Sequence, residues 1–575
     1  MVTPRYNLAE ELEKIVDCDS NFILTSCGVT RSQTNIPVLL HQNAYPRVEG
    51  QFNLLLLSGT SGTTDDVHRG LEVLKSYLRN QKTLPKKFSL SAIPCGNPDG
   101  LSRGSPYSNG SGGDPSGPYP PSEENYYGDK NNPETRYLWR WTNFYGPDLV
   151  LEVRSGLSVR WESSQPNSRL GEAVGAYPIS DDHSLLQAIS EGTHSGLSSV
   201  PSLLLICPQE QVEEQLVKLW NFLSQESALL RSPARKLLDD RRSRTPLEVA
   251  RILGSVYGNK LNPVVYTQGV AISGRLRLKQ LDPEGPDPTD DIIRLTRGYA
   301  SLKIDQVFQE NSQGANLAGY VWADELSEIT KDEQYANQLI EIAETYRPKG
   351  PGLVPPPSSE DYRVEDMFFG AAMLGRATKL TGDSSYIDVQ ARFLLDANVQ
   401  QKDGLFWHCN NAPYYWGRGN GFAALGYPET IKYMPEDHRD YQVICETHRQ
   451  HLNSLRKIQT PSGGWRQVLD FSGSYEEMTA TCMIGYAMAH GIRTGILDES
   501  FISSLASAWS FVNERIDDDG GLVDVCTGTG VQQNLRDYLD RPALCGMDDR
   551  GGALALWFSC EMEMFLRQYA DTSIA

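Results

Sequence analysis

At 575 residues the chain is longer than one hydrophobic core usually serves, so two domains are expected. Its 53 lysines and arginines stand against 73 aspartates and glutamates, a formal charge of −20. Most of such a surface repels nucleic acid and anionic membranes, and an anionic ligand must meet locally placed arginines.

The amino-terminal stretch MVTPRYNLAEELEKIVD carries acidic residues where a signal peptide needs a basic start and an apolar core, and no apolar run is long enough to span a bilayer. The ten cysteines are scattered without CxxC pairs and read as reduced, mostly buried thiols. A cytoplasmic location is the expectation.

Phe52–Leu57 (FNLLLL) is a strand-like run, followed by a helical pattern from Asp65 to Leu78; Phe88–Ile93, Asp148–Val153 and Ser202–Ile206 add further strands. Strands separated by helical segments imply an α/β domain with a parallel or mixed sheet covered on both faces. Ser102–Asp129, rich in Gly, Ser, Pro and Tyr, is too polar and broken for core; it is a surface excursion or a lid, with a loop of no function as the plainer reading. Arg231–Arg244 (RSPARKLLDDRRSR) concentrates charge and shows no apolar face, so it reads as the linker between domains at 1–235 and 236–575.

From Pro246 onward strand signals almost vanish. Helical patterns recur at Pro246–Val256, Asp291–Phe308, Ala315–Ile329, Glu333–Tyr346, Glu365–Leu380, Ser385–Asn398, Gly419–Met434, Tyr441–Leu455, Glu476–His490, Asp498–Ile516 and Gly551–Tyr569. Hairpins of helices closed into a ring account for this, although periodicity alone does not separate a toroid from an open bundle.

Three segments hold more polar and aromatic residues than packing needs. In VEDMFF, Glu365 and Asp366 open an apolar helix; a carboxylate there is ordinarily a cap favoured by the helix dipole. In YYWGRGNGF, glycines flank Arg418 and Asn420 and leave both side chains open to a cleft. Arg418 suits a carboxylate, Asn420 suits hydroxyls, and the aromatics could form a platform for a sugar face. In SGSYEEMTAT, Glu477 and Thr481 share a helical face that could line a pocket, while Ser474 with Glu477 equally reads as a capping box. His408, in FWHCN, is either a core histidine or a ring beside substrate; without a second nearby ligand it does not suggest a metal site.

Taken together these segments resemble glycoside hydrolase families 88 and 105, the unsaturated glucuronyl and rhamnogalacturonyl hydrolases. The likeness runs from about Asn311 to Phe565 and follows one order: VEDMFF, GLFWHCN, WGRGNGF, GGWRQVLDFSGSYEEMTATCM and a late CTGTG. The resemblance implies an all-α six-hairpin (α/α)6 toroid with Asp366 as general acid/base. It implies Arg418 and Asn420 in the substrate subsites, and His408 and Trp416 against the sugar. Phe422 stands where the family usually has Trp, which keeps stacking but removes a ring donor. Tyr475, Glu477 and Thr481 complete the expected substrate-binding set. An aspartate on an earlier helix of the family has no clear counterpart in Asp305 or Asn311.

The implied substrate is an oligosaccharide with a terminal 4,5-unsaturated uronic acid, and the implied chemistry needs no cofactor and no metal. Asp366 protonates the enol-ether double bond, and its carboxylate then assists water addition at the neighbouring carbon; the hemiketal opens and expels the rest of the chain. An ordinary glycosidase instead needs two carboxyls on opposite faces of the sugar. Hydrolysis of a saturated β-glucuronide by Asp366 and a partner such as Glu477 therefore stays open, as does a non-catalytic glycan-binding protein.

The first domain resembles zinc carboxypeptidases, through a strand leading into SGTSGTTDD, the tract IPCGNPDG and the tract PDLVLEVRSG. At the positions that carry zinc ligands in that family, this chain has Ser61, Thr64 and Arg154, which do not ligate zinc. A carboxypeptidase-like fold without peptidase activity is expected. It could shape the toroid's cleft, hold a homo-oligomer together, or bind a glycan through Tyr107, Tyr119, Tyr126 and Tyr127; packing is the default.

Overall fold

The structure, a computed structural model, describes residues 7–45, 50–122, 127–192, 197–225, 229–300, 302–308, 313–350, 352–528 and 530–572. The chain divides into two compact units. The first comprises Met1–Arg242 with two short later pieces, Phe471–Tyr475 and Leu539–Pro542; the second comprises Ser243–Asp470, Glu476–Tyr538 and Ala543–Ala575.

The first unit is built on an eight-stranded mixed sheet of β1 (Phe22–Val29), β2 (Asn35–His41), β3 (Phe52–Ser58), β4 (Phe88–Ile93), β5 (Leu149–Ser155), β6 (Arg160–Ser163), β7 (Tyr177–Pro178) and β8 (Ser202–Cys207), in the order β1-β2-β4-β3-β5-β8-β6-β7. The central strands β4, β3, β5 and β8 run parallel, and every residue of β3 and β4 is buried. That is why they read as continuous apolar runs. The β1–β2 hairpin at one edge was not foreseen, because β1 (FILTSCGV) mixes polar and small residues without clean alternation.

Two expectations for this unit change. Arg231–Arg244 is mostly a helix, Pro233–Ser243, with Ala234, Arg235, Leu238 and Arg241 buried. Of the loop tyrosines expected to meet a glycan, Tyr119 and Tyr127 are buried, Tyr107 is exposed, and Tyr126 lies outside the described residues. The positions matching zinc ligands have protein partners instead: Ser61 donates to Asp66, and Arg154 Nε lies 2.7 Å from Glu152 Oε1.

The second unit is a closed double ring of helices. Its inner members are α1 (Tyr266–Leu281), α2 (Ala323–Thr330), α3 (Val364–Thr381), α4 (Gly417–Ile431), α5 (Met478–Arg493) and α6 (Asp549–Thr572). Each packs on its neighbours, with Gly314–Leu317 and Ala318–Tyr320 completing the contact between α1 and α3, and α6 returns to α1. The outer helices are Pro246–Val256, Thr289–Ala300, Glu333–Glu344, Ser385–Asp396, Tyr441–Lys457 and Ile502–Glu514. Among the described residues this gives six outer and six inner helices, the (α/α)6 arrangement. Two short hairpins, Trp465–Arg466 with Glu476–Glu477 and Leu522–Cys526 with Ala543–Gly546, decorate it.

Inner helices other than the short α2 are largely buried, with α3 buried continuously from Val364 to Thr378. Such helices lack the polar stripe of a surface helix. Glycines allow the close approach: a Cβ on Gly426 would sit 2.5 Å from the Met367 backbone, and one on Gly269 would sit 2.4 Å from the Gly319 carbonyl oxygen. No described helix is long and apolar enough to cross a membrane.

Candidate active site

The amino-terminal ends of the inner helices come together at one end of the ring. Gln268 of α1 reaches Asp549 of α6 at 2.9 Å; the Tyr266 ring packs on Phe369 of α3 and Phe422 of α4; and Glu477, at the start of α5, accepts from the Cys526 amide, whose carbonyl Arg418 of α4 reaches at 2.5 Å. The dipoles of these helix starts make this end locally favourable to an anion despite the acidic chain.

Two carboxyls stand at the second and third positions of α3, where consecutive residues project about 100° apart. Asp366 is buried and accepts from the Ser359 amide at 2.8 Å. Burial pushes its pKa up to about 7; the Ser359 amide opposes this and the neighbouring charge of Glu365 adds to it. Glu365 takes other partners: its Oε1 lies 3.2 Å from His408 Nε2, and its Oε2 is buried with no hydrogen-bond partner among the described residues. His408 is buried against Trp416, ring centroids 4.5 Å apart, and its Nδ1 lies 2.6 Å from the Tyr538 hydroxyl. Trp416 is wholly buried and its Nε1 is likewise without a partner.

Several expected substrate contacts turn out to hold the ring itself together. Arg418, expected to meet a carboxylate, is fully buried over Trp416 and donates to the carbonyls of Cys526 and Gly528, pinning the CTGTG loop. Asn420 donates to the Phe406 and Trp416 carbonyls at 2.9 and 3.0 Å and accepts from the Phe406 amide and from His451, which leaves no capacity for a hydroxyl. Phe422 has no exposed surface and packs among Phe368, Phe369 and Tyr266, so it is core and not a sugar platform.

Glu477 is the amino-terminal cap of α5. It accepts from the amides of Thr479, Ala480 and Cys526 and from the Thr479 hydroxyl. Capping is therefore its role, but as the cap residue itself and not as the distal glutamate of a Ser474 box. Thr481 bonds back to the Glu477 carbonyl and accepts from the Trp465 amide. Tyr475 belongs to the first unit, where its ring lies 4.5 Å from Tyr127 at an interplanar angle of 9°. Asp305 is exposed on the short helix Ile304–Phe308, and Asn311 lies outside the described residues.

The structure thus brings His408 and Trp416 together, with Glu365 and Tyr538 against the His408 ring, while Asp366 is the next residue of α3 and the Tyr266 ring packs on Phe369 and Phe422; Tyr266 and Tyr538 are not singled out by the sequence. In the sequence Glu365 reads only as one of two carboxylates that open an apolar helix. The signal for it was the pairing of two carboxylates with the histidine of FWHCN, which packs there because the Val364 amide donates to the His408 carbonyl at 3.1 Å. Among the described residues there is no cluster of three or more His, Cys, Asp or Glu suited to hold a metal.

The Glycosyl Hydrolase Family 88 signature matches residues 266–566, just over half of the chain. An unsaturated 3S-rhamnoglycuronyl hydrolase of Alteromonas sp. (strain LOR) is 27% identical over 172 residues, 27% of this chain and 42% of that protein. The unsaturated rhamnogalacturonyl hydrolase YesR of Bacillus subtilis (strain 168) is 30% identical over 128 residues, 22% of this chain and 36% of that protein. The chain thus spans less than half the length of these two relatives. A solved family 105 glycoside hydrolase from C. acetobutylicum ATCC 824 aligns with a TM-score of 0.49 at 20% identity, covering 57% of this chain and 99% of that one. The helical unit carries the matched region almost whole, and the chain belongs to Glycosyl Hydrolase Family 88.

Proposed function

We propose that the chain releases a terminal 4,5-unsaturated uronic acid from oligosaccharides produced by polysaccharide lyases. The observation that carries this reading is the environment of Asp366. A buried carboxyl with a pKa of about 7 keeps a large fraction of its proton at neutral pH, as a donor to a carbon–carbon double bond must. Protonation of the enol ether, water addition at the neighbouring carbon and opening of the hemiketal follow, with the Asp366 carboxylate assisting the water. The names of the two relatives, both hydrolases of unsaturated uronyl substrates, support the same substrate class.

A saturated glycoside is less well supported. Glu477, the second carboxyl that reading needs, is occupied as a helix cap. Glu365 and Asp366 are consecutive residues of one helix start and do not flank a sugar from opposite faces. A merely glycan-binding protein would have little need of a carboxyl that burial holds at a pKa of about 7. The first unit is read as a carboxypeptidase-like fold without peptidase chemistry, on the ground of Ser61, Thr64 and Arg154.

One observation favours a variant of the mechanism. Glu365 carries the oxygen without a partner and stands on the side of His408 and Trp416, so the proton could pass through Glu365 with Asp366 as its buried neighbour. Asp366→Asn and Glu365→Gln separate the two. With a lyase-generated disaccharide, Asp366 as donor predicts loss of bleaching of the ultraviolet absorbance in Asp366→Asn and retained bleaching in Glu365→Gln. The reverse pattern assigns the proton to Glu365.

A further inference from the structure

An anionic ring needs a cation, and the arginine singled out by the sequence is turned onto the protein. Arg418 is wholly buried and donates to the Cys526 and Gly528 carbonyls. At the same end of the ring Arg550 stands in the first turn of α6, with 27% of its side-chain surface exposed. Asp548 fixes its direction. One oxygen of Asp548 caps the helix, accepting from the Arg550 and Gly551 amides at 2.9 and 3.1 Å, and its two oxygens take Arg550 Nε at 3.3 Å and Nη2 at 2.8 Å. A guanidinium has five N–H donors, and this pairing uses two of them. Among the described residues Asp548 is the ion-pair partner of Arg550, so the Nη1 side of the fork stays open to a ligand.

Three contacts set the start of α6 against the inner ring. Asp549 accepts from Gln268 of α1 at 2.9 Å. A Cβ on Gly551 would lie 2.6 Å from Val525 Cγ2, beside the Cys526 whose carbonyl Arg418 holds. Tyr266 packs on Phe369 and Phe422, and its buried hydroxyl has no hydrogen-bond partner; burial pushes that hydroxyl up to about 12, opposed by the charges of Arg418 and Arg550.

We propose that Arg550 takes the carboxylate of the terminal uronic acid on the open side of its fork, with Asp548 as the residue that positions it, and so sets the preference for a charged over an uncharged ring. The inference rests on the reading that the substrate is a uronide bound at this end of the ring.

The other exposed cations here suit the task less well. Lys260 is tied to Asp549 at 2.7 Å and offers a point charge on a flexible stem, without a fork. Arg363 pairs with Asp361 at 3.4 Å and shares a hollow with Glu360 and Asp361, two carboxylates that repel an anion. A guanidinium already braced by one carboxylate meets a second with its geometry preset, which lowers the ordering cost of binding.

The test compares an unsaturated disaccharide with its uronate methyl ester, the same ring without the charge. Wild type should favour the acid by about thirtyfold or more, chiefly through KM. In Arg550→Gln, KM for the acid should rise about thirtyfold or more while KM for the ester changes by less than about threefold. Arg550→Lys, which keeps the charge and the partner of Asp548 but not the fork, should fall between, and it decides by the same comparison if Arg550→Gln fails to fold. An equal loss on acid and ester would mark a structural role and overturn the proposal. So would a wild type without preference for the acid, an unchanged preference in Arg550→Gln, or a preference lost in Arg363→Gln instead. Calorimetric binding of acid and ester to Asp366→Asn reads the same ratio without turnover. A wild type that is inactive yet binds the acid through Arg550 overturns the functional reading alone, and an active one indifferent to Arg550 overturns this proposal alone.

Discussion

Glu365 and Asp366 are consecutive in the chain yet live in different surroundings. Glu365 meets the His408 ring at 3.2 Å, whereas Asp366 accepts from the Ser359 amide at 2.8 Å. Two neighbouring carboxyls are thereby set apart, one against a histidine ring and one pushed by burial towards its neutral form. That division places a proton donor and a second carboxyl at one helix start.

Activity should follow the protonated form of Asp366. With its pKa at about 7, kcat should hold on the acid side of neutrality and decline as pH rises above about 7. The profile of kcat against pH with an unsaturated disaccharide checks this, and a basic limb beginning only several units higher would contradict it.

The same shift predicts a stability effect. The folded pKa of Asp366 lies above the ordinary aspartate value, so its contribution is fully present below about pH 4 and is lost as pH rises through about 7. Asp366→Asn removes that loss. Its Tm should exceed the wild-type Tm at pH 8, and the difference should shrink towards pH 4.

Glu477→Gln should lower stability by about 1–2 kcal/mol, the range of a lost charged helix cap, while leaving kcat within about threefold of wild type. Denaturant unfolding and steady-state kinetics measure the two effects. A catalytic collapse with unchanged stability would restore Glu477 as the second carboxyl of an ordinary glycosidase.

Arg418→Lys should cost about 2–4 kcal/mol, because a lysine cannot reproduce two donors reaching the Cys526 and Gly528 carbonyls. The loss should appear in Tm in the absence of substrate. An effect confined to KM would show instead that the guanidinium binds the uronate directly.

The first unit should bind no zinc at the Ser61, Thr64 and Arg154 positions. Equilibrium dialysis should find no stoichiometric zinc, and a chelator should leave Tm unchanged. Tight binding of one zinc per chain, lost on changing Ser61 or Thr64, would contradict this.

Much of the architecture was legible because outer helices such as Tyr441–Lys457 keep a polar face, and buried strands such as β3 are unbroken apolar runs. Helix α1 was missed for the opposite reason: its residues from Tyr266 to Gly274 are all buried, so YTQGVAISG has no polar side to give a period. With it went Tyr266. The candidate site was legible as a set of positions but not as a set of roles. Glycines around Arg418 and Asn420 look the same whether they open a cleft or let backbones meet. The structure shows the second, since a Cβ on Gly417 would lie 2.1 Å from the Arg466 carbonyl oxygen. The pairing of Glu365 with His408 was not legible because the two come from segments 43 residues apart.

The most direct test is to incubate the full chain with unsaturated disaccharides from lyase digests of pectin, glycosaminoglycans and ulvan, and to follow the ultraviolet absorbance of the double bond. The account predicts bleaching of at least one substrate by wild type and none above background by folded Asp366→Asn. Wild type that bleaches none of them, while hydrolysing a saturated chromogenic glucuronide, would contradict it.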